Sequence, residues 1–220
     1  MFVDSAVIDF FKNEMVLAKI EAEKDTALAH EYHVSAFPTI VLTDKDGKEI
    51  DRIVGYAKPE TFIKTLRDYA QGIGTLDDLL NRARTESDSL RELGFEIADK
   101  YKYRGGNEEA MQWFQKIIDL GSPTDSLSGE ARMAIADMYR RDKDYMKALV
   151  ELASVIKDFE GKPFSMDAEI WTAIVYRLKG DTATAIGAFE DYLKHYPDSE
   201  DADYARKQID KLKNPVEKKP

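Results

Sequence analysis

The sequence predicts an α/β segment followed by an all-α segment, and two observations support this division. Before residue 73, short apolar β-branched runs alternate with amphipathic stretches of helical period. After residue 73 every apolar pattern has the spacing of a helix. We therefore divide the chain into residues 1–72, residues 73–214 and a polar tail, residues 215–220, which we expect to be disordered.

A β-hairpin is predicted at the centre of the first segment. Pro38 opens the apolar run Thr39–Leu42, and a turn at residues 43–47 leads to a second run, Glu49–Val54. Because proline cannot donate a hydrogen bond to a sheet ladder, it suits the first residue of a strand. The two runs therefore predict two paired strands.

Helices and one further strand are predicted around this hairpin. Apolar spacing predicts a helix over residues 5–13, a strand over Met15–Ile20 and a helix over residues 26–32. A third helix is predicted to begin near Pro59, which suits a first helical turn, and to end before residue 72. The predicted order is helix, strand, helix, strand, strand, helix.

This order resembles the thioredoxin family. The most specific motifs are Val34-Ser35-Ala36-Phe37-Pro38-Thr39, Asp44-Lys45-Asp46-Gly47 and Gly55-Tyr56. Phe2-Val3-Asp4-Ser5-Ala6-Val7 is similar to the segment that follows the redox cysteines in such proteins. The resemblance covers about residues 2–70. It implies a cis peptide bond before Pro38, and it places the family's first strand and its Cys-x-x-Cys pair upstream of residue 1.

The strand that this resemblance leaves out would lie between residues 15–20 and residues 39–42 in the sheet. Its loss leaves a gap beside two strand-forming runs. We expect either that the two flanking runs pair directly through a right-handed crossover, or that this half is loosely ordered.

The second segment contains a repeated pattern of small and aromatic residues. Two antiparallel helices can approach closely only where a small side chain faces the partner helix. Pairs of alanines twelve residues apart recur three times, at Ala98 and Ala110, Ala136 and Ala148, and Ala173 and Ala185. We therefore predict an α-solenoid of three helix-pair repeats, preceded by a linking helix that Thr75 caps.

The third unit resembles the tetratricopeptide repeat family. Its matching residues are Ala173, Tyr176, Ala185, Phe189 and Pro197. The tryptophan typical of the first helix is absent, and its position falls on Glu169 in this unit. A last helix over residues 201–213 is predicted to cover the open apolar face of the third unit, as a solenoid requires.

Composition excludes several classes of function. A formal charge of −10 argues against a nucleic-acid or anionic-membrane partner. No apolar run approaches the roughly 20 residues that span a bilayer, so membrane insertion is not expected. The chain has no cysteine, which excludes thiol catalysis and thiolate metal sites within it. Localisation stays open: cytoplasmic for the chain as given, periplasmic if a signal segment precedes it.

No metal, cofactor or catalytic group is predicted. His30 and His33 have a spacing compatible with two metal ligands, but no third ligand is apparent, and a surface pair is the alternative. Asp44-Lys45-Asp46-Gly47 lacks the later ligands of a calcium loop and is predicted as a hairpin turn. Three scattered histidines do not indicate a Ser-His-Asp arrangement.

Two surfaces are candidates for peptide binding. In the first segment the resemblance implies that Phe37, Pro38 and Thr39 contact an extended peptide by β-addition, while the alternative is that the proline only shapes the strand entry. In the second segment the concave face of the repeats would present Glu92, Phe95, Asp99, Met133, Asp137, Arg140, Ile170, Ile174 and Arg177. The alternative is that the apolar members are buried and the array is a spacer.

We therefore expect a non-catalytic adaptor or scaffold that binds a protein or peptide partner on the repeats. The alternative is the cysteine-less remainder of a thiol–disulfide oxidoreductase whose redox motif lies upstream of residue 1. The two hypotheses differ in what precedes Met1. The sequence indicates neither the partner nor the oligomeric state.

Overall fold

The described residues of the computed structural model are 2–214, so the predicted disordered tail, residues 215–220, lies outside them. The strands are β1 (Thr39–Thr43) and β2 (Glu49–Val54). The helices are α1 (Ser5–Asn13), α2 (Thr26–Glu31), α3 (Pro59–Ala70), α4 (Leu76–Arg82), α5 (Leu90–Lys102), α6 (Asn107–Leu120), α7 (Ser126–Arg141), α8 (Tyr145–Asp158), α9 (Pro163–Lys179), α10 (Thr182–His195) and α11 (Ala202–Lys213). These elements confirm the predicted fold class, an incomplete α/β domain followed by helical repeats.

The chain divides into two compact units, Met1–Trp113 and Phe114–Pro220. The first unit contains the hairpin and helices α1 to α5, the second contains α7 to α11, and α6 crosses the division. The predicted boundary near residue 73 lies inside the first unit and stays a prediction.

Strands β1 and β2 form the predicted antiparallel hairpin. Thr39 lies opposite Val54, and the N–H of Gly55 donates to the carbonyl oxygen of Pro38 at 2.8 Å. The turn residue Gly47 has a φ of 83°, a left-handed conformation that glycine adopts without steric cost. The Phe37–Pro38 peptide bond is cis, as the family resemblance implied.

Helices α1 and α3 cover one face of this hairpin. Val7 and Phe10 from α1 and Phe62 and Leu66 from α3 are buried. Three strand residues pack against them: Ile40, Leu42 and Ile53. Burial of side chains of this size stabilises the fold by about 1.5–3 kcal/mol each, so this cluster holds the helices against the sheet.

The strand predicted over Met15–Ile20 is wrong, because the segment is irregular. Val16 is 99% exposed and Ile20 is 47% exposed. Direct pairing of this segment with β1 is also wrong, since within residues 2–214 β1 pairs with β2 alone. A β-branched run becomes a strand only when a neighbour accepts its backbone hydrogen bonds and packs against its side chains, and none does so here.

A buried carboxylate connects the hairpin to helices α4 and α5. The side chain of Asp51 on β2 is 0% exposed. Its Oδ1 accepts hydrogen bonds from Lys100 Nζ at 2.8 Å and Arg104 Nη2 at 2.8 Å. Its Oδ2 accepts from the backbone N–H of Leu76 at 2.7 Å, at the start of α4. The strand and the two helices are therefore joined through one buried side chain.

A second carboxylate, Glu49, extends this charge cluster. It pairs with Arg52 and, at 3.0 Å, with Arg104 Nε. Arg52 Nη1 in turn donates to the carbonyl oxygen of Tyr103, just after α5. Two acidic and three basic side chains therefore form one hydrogen-bonded network with little access to water. Each of its hydrogen bonds contributes more to stability than an exposed ion pair does.

Helices α7 to α11 pack as consecutive antiparallel neighbours around buried alanines. Ala136, Ala148, Ala173 and Ala185 are each at most 1% exposed. Gly129 on α7 allows an equally close contact, because a Cβ there would lie 2.9 Å from Phe164 and 3.0 Å from Phe159. Tyr204, Ile209 and Leu212 of α11 join the core of the third repeat, as predicted for the last helix.

We expect Asp51→Asn to lower the free energy of unfolding of the first unit by about 3–5 kcal/mol, because Lys100 and Arg104 would lose their buried anion. Urea titration followed by hydrogen exchange of the β1 and β2 amides measures this change. Asp46→Asn in the exposed turn is the matched control and should change the free energy by no more than about 0.5 kcal/mol. Equal effects of the two variants would contradict a structural role for the Asp51 cluster.

Candidate functional site

Phe37 and Pro38 lie at the surface beside the entry to β1. The side chain of Phe37 is 71% exposed, and Pro38 is also exposed. Thr39 is partly buried, and its Oγ1 donates to the carbonyl oxygen of Ala36 at 2.7 Å, which fixes the backbone just before the strand. These three residues are adjacent and accessible, and their peptide contact stays a prediction.

The predicted groove residues of the first repeat lie on α5. Glu92 is exposed, whereas Phe95 and Asp99 are partly buried. Asp99 forms an ion pair with Lys102 on the same helix. Their contact with a partner stays a prediction.

Arg140 is the most firmly oriented of the groove residues in the second repeat. Asp137, one turn earlier on α7, accepts hydrogen bonds from Arg140 Nε at 3.0 Å and from Arg141 Nε at 2.7 Å. The Arg140 guanidinium carbon lies 5.8 Å from the centroid of the Trp171 ring on α9, within the range of a cation–π contact. Met133 is partly buried and packs into the core between α7, α8 and α9. The charged side chains near the C-terminal end of α7 are therefore held in fixed orientations.

The groove residues of the third repeat differ in accessibility. Ile170 is 3% exposed and packs in the same cluster as Ala205 and Ile209 of α11, and Ile174 is partly buried there. Arg177 Nη1 donates to Gln208 Oε1 of α11 at 3.0 Å. Arg177 Nε is buried and has no hydrogen-bond partner within residues 2–214. Arg177 thus retains an unsatisfied donor, while Ile170 contributes to the core.

Sequence reasoning missed two contacts beside these residues. Neither Trp171, which lies beside Arg140, nor Gln208, which accepts a hydrogen bond from Arg177, follows from the repeat pattern. Glu169, which occupies the position of the family's tryptophan, accepts a hydrogen bond from Tyr196 OH at 2.9 Å and contacts His195 Nδ1 at 2.7 Å. Glu169 therefore connects the first helix of the third repeat to the end of α10. The absence of tryptophan at position 169 did not predict this contact.

The candidate metal residues remain a pair. The rings of His30 and His33 have centroids 6.1 Å apart, and no group of three potential His or carboxylate ligands occurs within residues 2–214.

Asp44 Oδ1 accepts from the N–H groups of Asp46 and Lys48, each at 2.9 Å, which confirms the predicted hairpin turn. None of the described helices is both long and apolar enough to cross a membrane.

Comparison with known proteins identifies the two segments. Residues 3–70 match the family of the thioredoxin-like domain. Residues 167–199 match the tetratricopeptide repeat family. A thioredoxin from Chlamydia caviae is 33% identical over 58 residues, which are 26% of this chain and 56% of that thioredoxin. The chain thus spans about half the length of this relative. Both resemblances predicted from the motifs are confirmed.

These matches have a general functional meaning. Tetratricopeptide repeats commonly mediate protein–protein interaction, and a thioredoxin-like domain indicates a relationship to thiol–disulfide oxidoreductases. The absence of cysteine leaves this chain without the thiol that such chemistry requires.

Burial perturbs two carboxyl groups of the second unit. Burial on α9 raises the pKa of Asp167, and repulsion by Asp201 raises it further. Burial also raises the pKa of Glu151 on α8, and the positive charge of Arg132 opposes that rise. A carboxyl whose pKa is higher in the folded chain binds protons more tightly when folded, so its ionisation near neutral pH opposes folding.

We expect Asp167→Asn to raise the free energy of unfolding at pH 7 by no more than about 0.5 kcal/mol, since asparagine carries no charge and solvent screens this partly exposed site. The stability of the parent falls as pH rises through the raised pKa, so the gain should vanish below the ordinary pKa of 3.8. Urea titrations at several pH values measure this difference. Asp198→Asn is the exposed control, and a gain that was independent of pH would contradict the assignment.

Proposed function

We propose that the chain is a protein-interaction scaffold and that a partner peptide binds the concave face of the repeats. Within the second unit the binding residues are Asp137, Arg140 and Arg177, with Met133 and Ile174 beside them. Ile170 supports this face from the core. On α5 of the first unit, Glu92, Phe95 and Asp99 are the corresponding candidates. The observation that carries the proposal is the orientation of Arg140 between Asp137 and Trp171.

An oriented arginine favours binding because little side-chain entropy is then lost when a partner arrives. Two of the guanidinium nitrogens of Arg140 contact Asp137, which leaves its other N–H groups available to a carboxylate or a peptide carbonyl. Asp137 carries one negative charge against the two positive charges of Arg140 and Arg141. The local charge is therefore positive in a chain whose formal net charge is −10.

Arg177 provides a second donor of the same kind. Its Nε lacks a partner in the described part of the chain, and an unsatisfied buried donor costs about 1–3 kcal/mol. A peptide carbonyl would remove that cost if the Arg177 side chain turned toward the surface as the peptide bound, because Nε is buried in the free chain. This favours an extended partner with exposed carbonyl oxygens over one that presents only apolar side chains.

A photo-crosslinking amino acid at Leu178, which is 41% exposed at the end of α9, tests this surface in cells. We expect a discrete crosslinked protein, and we expect Arg140→Glu to reduce its yield at least about tenfold, since buried or stacked arginines often dominate interfaces. Quantitative mass spectrometry measures the yield.

The matched controls lie on α8. The crosslinker at Val150, which is 65% exposed, should not capture the same protein. Lys157→Glu changes the charge of an exposed residue on that helix and should leave the yield at Leu178 unchanged. Equal capture at Leu178 and Val150, or equal effects of the two charge changes, would overturn the proposed surface.

A second candidate function is the remainder of a thiol–disulfide oxidoreductase. The exposed side chain of Phe37 supports it, together with the thioredoxin-like match. The cysteine pair would have to come from sequence upstream of Met1. The test is the coding sequence upstream of Met1. If it continued in frame and encoded a strand followed by two spaced cysteines, the oxidoreductase hypothesis would replace that of a non-catalytic adaptor.

We expect the 220-residue chain to give no acceleration of insulin reduction by dithiothreitol, because it has no cysteine to form a mixed disulfide. Turbidity of the precipitating insulin chains measures the rate, with a cysteine-containing thioredoxin as positive control. Acceleration above the uncatalysed rate would contradict the assignment of redox chemistry to an upstream cysteine pair.

A further inference from the structure

The first helix of each repeat carries a basic side chain four residues after its packing alanine. These side chains are Lys102 in the first repeat, Arg140 in the second and Arg177 in the third. In the first two repeats an aspartate three residues earlier, Asp99 or Asp137, forms an ion pair with the basic group. Lys102 and Arg140 therefore each have a counterion on their own helix.

The third repeat lacks this counterion. Ile174 occupies the position of the two aspartates, so Arg177 has no acidic residue three positions before it. Within the described chain Arg177 forms no ion pair, and its Nη1 donates to the neutral amide oxygen of Gln208 at 3.0 Å. Asp181, four residues later, instead caps α10, where its Oδ1 accepts from the N–H of Thr184 at 3.2 Å. Arg177 is therefore a partly buried cation whose counterion is missing from the described residues.

The position of Arg177 near a helix end does not account for this difference. Helix α9 ends at Lys179, so Arg177 lies in its last turn, where the helix dipole favours positive charge. Lys102 and Arg140 also lie in the last turns of their helices, and each of them has an aspartate as well. The dipole therefore explains a cation at this position but not the loss of its counterion.

A carboxylate from outside the chain would stabilise Arg177. Partial burial removes some of the water that solvates the charge, and a neutral amide replaces that water less well than an anion does. Nε of Arg177 is also buried without an acceptor in the described chain. The residue as a whole is partly exposed, so a carboxylate can approach the guanidinium group, whose planar N–H groups match two carboxylate oxygens.

We propose that the partner peptide supplies the missing anion, and that an aspartate or glutamate side chain of the bound peptide pairs with Arg177. This inference rests on the proposed function, since it names the chemistry of the partner that binds the repeat surface. A carboxylate is the expected anion because carboxylates neutralise the equivalent basic groups, Lys102 and Arg140. The second and third repeats then differ in what they offer, because Arg140 already has Asp137 whereas Arg177 selects an acidic residue.

The test begins with peptides selected from a random library displayed on phage, with the full chain as bait. We expect the selected peptides to share an aspartate or glutamate at one position. Replacement of that residue by its amide should weaken binding at least about tenfold, because the loss of one partner leaves a partly buried charge unpaired. Isothermal titration calorimetry of the acidic peptide and its amide form measures the difference.

Gln208→Glu is the sharpest variant, because it supplies the anion from within the chain. The new side chain keeps the shape of glutamine, and its carboxylate would pair with Arg177 Nη1. We expect this variant to bind the amide peptide as the parent does, and to bind the acidic peptide no more than about twofold more tightly than the amide form. Arg177→Gln should abolish the same preference. Lys157→Gln, which removes an exposed positive charge on α8, is the matched control and should retain it.

The outcomes separate this inference from the proposed function. Selected peptides that bind equally well in their acidic and amide forms would overturn the inference and leave the scaffold proposal in place. If no peptide were selected and no protein were crosslinked at Leu178, both would be wrong. A preference for acid that persisted in Gln208→Glu and Arg177→Gln would assign the acidic residue to another cation and overturn the pairing with Arg177.

Discussion

Close approach of neighbouring helices at buried alanines is the constraint on which the second unit depends. Ala148 packs in the core shared by α7, α8 and α9, and Ala173 packs in the core shared by α9, α10 and α11. An added methylene at such positions commonly costs about 1–3 kcal/mol, because it separates the helices or distorts side chains. The same spacing brings Arg140 of α7 to the ring of Trp171 on α9. The chemistry of the proposed surface therefore follows from packing beneath it.

Most elements followed from local patterns in the sequence, because a helix satisfies its own backbone and its period is visible along the chain. The strand at Met15–Ile20 failed because a strand depends on a neighbour that local sequence does not contain. Asp51 was not singled out among 42 acidic residues, since its importance comes from Lys100, 49 positions later. The groove could be predicted only as a set of positions on the first helix of each repeat. The repeat pattern does not show that the last helix buries one of them, Ile170.

The proposed repeat surface offers guanidinium groups to a partner, so discrimination there depends on the acceptors that the partner presents in a fixed geometry. Salt should weaken such contacts, because exposed charges are screened.

The Asp51 cluster also has an evolutionary consequence. Lys100 and Arg104 lie in the first helix pair of the repeats, whereas their shared anion lies in the hairpin. A recombination event that joined a different partner segment at residue 73 would separate these cations from Asp51. Either fragment would then carry uncompensated charge at a newly exposed surface. Selection against such products would keep the hairpin and the first repeat together as one unit of inheritance, even where the later repeats were exchanged.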